Sequence, residues 1–254
     1  MKESGFKRLA LLPAVLLAAA AMLPAQAPDW PKILARIDEM TTFENGDFSA
    51  TVTVVTTRPG EENKVIQARY FRRDNDRNFV ILILKPEIQK GQGYLSIGDN
   101  LWFYDPESRK FAFSSLKDRF SDSGAQNSDF SSSKLSKDYS METWAEAKLG
   151  KFEVWTVELK SKDTSVAVPK RKLWIRRDNY LVLKEEQYSL SDRLLRTVAI
   201  PSYLTVSGRF VPVQMLIVDN VKVGERAQLS FKDQSVARLP DAVFTKSYLE
   251  RVNQ

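Results

Sequence analysis

The chain has 254 residues, a formal charge of +6, and neither histidine nor cysteine. The missing Cys rules out a disulfide framework and the lipid-modified Cys of a bacterial lipoprotein; the missing His rules out Ser-His-Asp and Cys-His machinery and the commonest zinc sites. A hydrophobic content of 43% with 11% aromatics supplies one substantial core, so a single domain is expected.

Lys2, Lys7 and Arg8 precede an apolar run from Leu9 to Leu23, and the small-residue site Ala25-Gln26-Ala27 follows. This is the layout of a secretory signal peptide. It predicts a leader over residues 1–27, cut after Ala25 or Ala27, and a mature domain over 28–254. Of the +6 charge, +2 lies in the leader, which leaves +4 without any block of like charges. Nucleic-acid binding gains no specific support from that balance, while an anionic membrane surface is compatible with it.

Pro31 suits a first helical turn, and Ile33, Leu34, Ile37 and Met40 follow at helical spacing. From Phe48 the period changes to two, with Phe48, Ala50, Val52 and Val54 on one face. Val65 to Arg72 reads as the return strand. Phe79 to Leu84, apolar on both faces, reads as a central or covered strand. Short strands follow at Gly93–Ile97, Leu101–Tyr104 and Arg109–Phe113, separated by Gly98-Asp99-Asn100 and Asp105-Pro106-Glu107-Ser108. This block carries no phosphate-cradling context, and Gly91 and Gly93 read as a bend. Ser114 to Ser140 is polar and too long for a plain hairpin, so it is read as an irregular functional insertion with one or two short helices. Strands resume at Phe152–Leu159, Arg171–Arg176, Tyr180–Tyr188, Leu194–Ile200, Val211–Val218 and Ala227–Phe231. A closing turn and a short helix or extended tail end the chain. About eleven strands are expected, mostly antiparallel neighbours, in a sheet that must curl, close or split. A half-barrel with a helix across its mouth is one solution; a filled sandwich is the other.

Lys85-Pro86, Gly91-Gln92-Gly93-Tyr94-Leu95 and Leu101-Trp102-Phe103-Tyr104-Asp105-Pro106 together resemble the outer-membrane lipoprotein-sorting family related to the periplasmic carrier LolA. Gly124 with Ser128-Asp129-Phe130 is similar to that family's Gly-Ser-Asp-Phe signature, with three residues between the Gly and the Ser. Leu239-Pro240-Asp241-Ala242-Val243-Phe244 and Tyr248-Leu249-Glu250 are similar to its closing segment. The resemblance implies a mainly β (α+β) fold: an incomplete, strongly curved antiparallel β-barrel with an N-terminal helix and a lid-like insertion. It implies a periplasmic carrier; a monomer is expected, and with no His, Cys or phosphate-binding loop no cofactor or catalytic residue is expected. Acylated lipoproteins or other lipids would be taken from an inner-membrane transporter and passed to an outer-membrane acceptor. A subunit of a lipid-exporting permease, or a structural envelope module, are the alternatives.

The expected cavity residues are Ile33, Leu34 and Ile37 on the helix, with Phe48, Val52, Val54, Phe79, Ile81, Ile83, Tyr94, Trp102, Tyr104, Phe113, Trp155 and Trp174 on the sheet. Gly124, Asp129 and Phe130 are the expected lid loop. Arg69, Arg72, Arg73, Lys170, Arg171, Lys172, Arg176 and Arg177 fit either anionic headgroups or solvated strand faces. Asp105, Glu107, Asp129, Glu185 and Glu186 have no spacing that indicates a catalytic pair. No metal site is expected.

Overall fold

The computed structural model describes residues 27–43 and 46–252. The predicted leader, apart from Ala27, lies outside these residues. Helix α1 (Trp30–Thr41) starts at Asp29, whose side chain accepts the Lys32 N–H at 3.2 Å, and its buried stripe is Trp30, Ile33, Leu34, Ile37 and Met40.

Among the described residues, thirteen strands form one sheet. The first meander is β1 (Phe48–Thr57), β2 (Lys64–Arg73), β3 (Asn78–Lys85), β4 (Gly93–Ile97), β5 (Asn100–Asp105) and β6 (Lys110–Ser114). The second is β7 (Tyr139–Leu149), β8 (Phe152–Ser161), β9 (Lys170–Arg176), β10 (Val182–Tyr188), β11 (Leu194–Val206), β12 (Arg209–Asp219) and β13 (Arg226–Ser235). Every pairing is antiparallel, and the meanders join where β1 pairs with β13. The sheet is curved but open, with β6 and β7 as its edges. This is the predicted half-barrel, and the sandwich alternative falls, because there is one sheet rather than two.

The strand absent from the sequence reading is β7. Its Met141-Glu142-Thr143-Trp144-Ala145-Glu146-Ala147-Lys148 core is rich in helix formers and largely exposed. Pairing with β8 over residues from Tyr139 to Leu149 overrides that propensity. Register shifts in β1, β7, β10 and β11 relative to their partners mark bulges, the usual means of bending a sheet.

Gly93 was expected to bend the sheet, yet it sits in regular pairing between Leu82 and Tyr104. Its role is room. A Cβ there would stand 2.6 Å from Leu249 Cδ2. Gly91 is the turn residue, with φ +84°.

The convex face of β2 to β5 is covered by the C-terminal segment, a 3-10 turn at Asp241–Phe244 followed by α3 (Lys246–Arg251). Phe71, Val80, Leu82, Leu95 and Tyr104 pack there against Phe244 and Leu249, which explains why β3 is apolar on both faces. A buried ion pair straps this segment down. Arg73 donates to both Asp47 oxygens at 2.8 and 2.9 Å, to Asp241 at 2.6 Å and to the Leu239 carbonyl at 2.7 Å. Burial opposes the charge on Asp47, but hydrogen bonds from Arg73 and from the Leu239 N–H hold its carboxyl below the ordinary value.

Arg73→Met leaves Asp47 buried without its partner and should cost about 3–5 kcal/mol in urea unfolding. Because the Asp47 pKa is lowered in the folded state, its contribution is complete above the unfolded value and is lost as pH falls through the folded one. The stability gap between wild type and Asp47→Asn should therefore be full at neutral pH and close below about pH 4.

Candidate lipid-binding hollow and its roof

Strand parity assigns the concave face. Val52, Ala68, Ile83 and Phe231 share a face across β1, β2, β3 and β13, as do Tyr70, Ile81 and Tyr94 across β2, β3 and β4. All are buried. With Ala50, Val54, Ile66, Ile217 and Leu229 they form one apolar wall.

Residues 115–138 connect β6 to β7. These strands are the two open edges of the sheet, so the connection crosses the hollow between them. Phe120, Ala125 and Phe130 of this crossover are at most 1% exposed and pack on the wall. Aromatic rings then run without a break across the hollow: Phe43–Phe48 at 5.3 Å, Phe48–Tyr70 at 5.7 Å, Tyr70–Phe130 at 5.5 Å, Phe130–Phe120 at 4.9 Å and Phe120–Tyr94 at 5.2 Å. A cavity between Arg72, Phe79, Leu116 and Ser131 measures only about 30 Å³, room for a water molecule rather than an acyl chain. In this state the crossover fills much of the hollow.

Polar groups hold the crossover at defined points. The buried Tyr70 hydroxyl, pushed up to about 12 by its burial, donates to the Phe130 carbonyl. The Ser121 N–H donates to the Tyr94 hydroxyl at 2.8 Å and the Gly124 N–H to Thr56 Oγ1 at 3.0 Å. Arg119 donates to Glu225 at 2.5 Å and Asp219 at 3.2 Å. Hydrogen bonds from Arg58 and then Lys64 hold the Asp122 carboxyl down to about 2. Arg196, on the concave side of β11, donates to Gln126 at 2.6 Å and Asp129 at 2.7 Å. Asp129 also accepts the Gln126 N–H at 2.8 Å and so closes the 3-10 turn at Asn127–Phe130.

Helix α1 forms the rest of the roof. Ile33, Leu34 and Ile37 pack with Val157, Leu159, Leu173 and Ile175 of β8 and β9. Trp30 meets Trp144 and Trp155, each at 5.9 Å. The α1 side chain Asp38 accepts the Leu135 and Ser136 N–H groups at 2.8 Å each, capping α2 (Leu135–Asp138) inside the crossover. Helix and crossover are thereby joined as one body.

Of the expected wall residues, Phe48, Val52, Val54, Phe79, Ile81, Ile83 and Tyr94 lie beneath the crossover, and Trp155 lies beneath α1. Four do not. Trp102 pairs with Leu95 and Phe113, and Tyr104 with Gly93, which puts all three aromatics on the convex face. The inward residues of β5 are Leu101 and Phe103, both part of the wall cluster. Trp174 is also convex, with the Lys184 ammonium 4.2 Å from its ring centre. Gly124, Asp129 and Phe130 are in the crossover as expected. Gly124 lies close against β13, where a Cβ would stand 3.0 Å from Ala227 Cβ. The polar pins Tyr70, Arg196 and Asp38 carry no sequence signal, because each partner is distant along the chain.

The basic residues divide. Arg72, Arg73 and Arg171 are engaged with Asp74, Asp47 and Glu185, and do not form a solvated cationic face. A cleft of about 180 Å³ beside Glu158, Lys172 and Tyr188 belongs to the convex side, where Lys172 pairs with Glu158 at 2.9 Å. Among the described residues, no group of three or more acidic side chains converges as a metal site would require, and no helix is long and apolar enough to cross a membrane.

The fold and this roofed apolar wall define a LolA-like half-barrel. A family model described as "Uncharacterized protein" matches residues 75–251, and the chain belongs to that family. A LolA superfamily protein from Nitrosomonas europaea is 26% identical, with a TM-score of 0.77 over 87% of this chain and 100% of its own. A putative outer membrane lipoprotein-sorting protein domain from Vibrio parahaemolyticus has a TM-score of 0.77 at 20% identity, covering 87% of this chain and 98% of its own. A DUF1329 family protein from Desulfovibrio piger matches at 0.77 and 19%, covering 86% and 97%. No curated protein matches the chain.

Gly124→Val should push the crossover off β13. The expected cost is about 1–3 kcal/mol in thermal or urea unfolding, while a substitution at Gly150, with open space around its Cβ position but a φ of +58°, should report only local turn strain.

Proposed function

We propose that the mature chain is a periplasmic carrier that shelters the acyl chains of lipoproteins or other lipids against its concave wall. One observation carries this reading. A continuous apolar wall is covered by a roof, α1 with the crossover, that lies on it through apolar side chains and is pinned at defined points by hydrogen bonds and ion pairs. The likeness to a protein titled outer membrane lipoprotein-sorting supports the same role, as does the export-signal pattern of residues 1–27.

The energetics suit such a task. An acyl chain of about fifteen methylenes gains about 12 kcal/mol on leaving water, so it needs an apolar host throughout transit. Cargo contacts with Phe48, Val52, Val54, Phe79, Ile81, Ile83 and Tyr94 would replace those made by Phe120 and Phe130, which makes the roof an internal competitor for the wall. Expelling the roof therefore exchanges one set of apolar contacts for another, and the net cost stays small enough for release.

Directionality would come from the relative affinities of an inner-membrane transporter, the carrier and an outer-membrane acceptor, with one monomeric domain over 28–254 moving between them. In a lipid-exporting permease the same wall would serve a different donor.

The test is lipid extraction and native mass spectrometry of the mature chain purified from periplasm, with uptake of a fluorescent fatty acid by the lipid-free protein. Bound lipid, and uptake that rises severalfold in Tyr70→Phe as the Phe130 pin is lost, are expected. No co-purifying lipid together with no uptake contradicts the reading.

A further inference from the structure

The concave wall is mostly apolar; besides Arg72, paired with Asp74, and the hydroxyls of Thr56, Tyr70 and Tyr94, it carries one line of polar side chains. From β9 across β10 to β11 runs a ladder of inward side chains. Arg171 donates to the Tyr139 hydroxyl at 2.8 Å and pairs with Glu185 at 3.2 Å. Gln187 donates to Glu185 at 2.8 Å and accepts from Arg196 at 3.2 Å. The ladder ends at Arg196, whose side chain is 7% exposed. Val198, two residues along the same face of β11, is buried in the apolar wall.

The carboxylate facing Arg196 does not come from the wall. It is Asp129 of the crossover, 5% exposed and 2.7 Å away. Glu185 is committed to Arg171 and Gln187. Asp219, opposite Arg196 in the β11–β12 register, turns its oxygens to Arg119 and to the Val221 and Lys222 N–H groups. When the crossover leaves, Arg196 keeps only Gln187 among its present partners. An arginine left without its anion on an apolar wall is unfavourable, so the open state favours a ligand that brings an anion to the same spot.

We propose that Arg196 is the headgroup contact of the cargo site, and that Asp129 holds it in the closed chain as a stand-in for a carboxylate or phosphate on the cargo. The preferred cargo is then an acidic amphiphile, its chain on the Val52–Ile81 wall and its charged head on Arg196. This rests on the carrier reading and narrows its ligand class. It also gives the roof a trigger, because an incoming acid competes directly with Asp129 for one guanidinium.

The experiment uses the mature, lipid-free chain and matched ligand pairs: cis-parinaric acid against its methyl ester by fluorescence, and lysophosphatidic acid against the monoacylglycerol of the same chain length by displacement. Wild type should prefer the acidic member by about tenfold or more, the worth of a charged hydrogen bond. Preference in the first pair names a carboxylate head and in the second a phosphate. Arg196→Met should bring the ratio to near one while still binding the ester. Asp129→Asn should keep the preference and bind the acid more tightly, since the internal competitor is weakened. Should Arg196→Met melt below the assay temperature, Asp129→Asn decides, and no gain in acid affinity there overturns the proposal. Equal binding of acid and neutral partner by wild type also overturns it while leaving the carrier reading intact. Failure to bind any of the four removes both.

Discussion

The structure depends on a topological constraint. Strands β6 and β7 are consecutive in the chain yet lie at opposite edges of a thirteen-stranded curved sheet. Their connection must span the hollow, and a backbone crossing there has to satisfy its polar groups as well as its apolar ones. Residues 115–138 meet both demands. Phe120 and Phe130 face the wall, and the backbone N–H groups of Ser121 and Gly124 find Tyr94 and Thr56.

The same constraint explains the division of labour across the sheet. On the convex side, the apolar residues of β3 and β4 are covered by the C-terminal segment, strapped by Arg73. That cover is bound at its root by a buried ion pair and by the Arg73 cation over Phe244 at 4.6 Å. On the concave side the cover is a connection with a strand at each end, joined to α1 through Asp38 and to the wall through Arg196 and Tyr70. In the proposed carrier the convex cover stays in place and the concave cover leaves. The convex aromatics Trp102 and Tyr104 belong to the first kind of packing, the concave Tyr94 to the second.

Much of this was legible in the sequence. Alternation in Phe48-Ser49-Ala50-Thr51-Val52 gave the wall strand, and the stripe Ile33, Leu34, Ile37 gave the helix, because burial on one face leaves a period. The insertion was visible as a polar stretch too long for a hairpin. What escaped detection lacked local expression. Alternation says that Trp102 and Phe103 face opposite ways, but which one faces inward depends on pairing with Tyr94. Strand β7 has helix-forming composition and is set by its pairing with β8. Arg196 and Asp129 are 67 positions apart and meet only through the fold.

The central claim is that the crossover must leave the wall for cargo to enter. The chain has no native cysteine, so a single engineered disulfide can test it. The Cβ position at Gly124 lies 3.0 Å from Ala227 Cβ, and an outward shift of under about 1 Å reaches disulfide geometry. In Gly124→Cys with Ala227→Cys, fluorescent fatty-acid uptake should be lost when the pair is oxidised and return when dithiothreitol reduces it. Equal uptake by the oxidised and reduced forms would contradict the account, because cargo would then enter with the roof still in place.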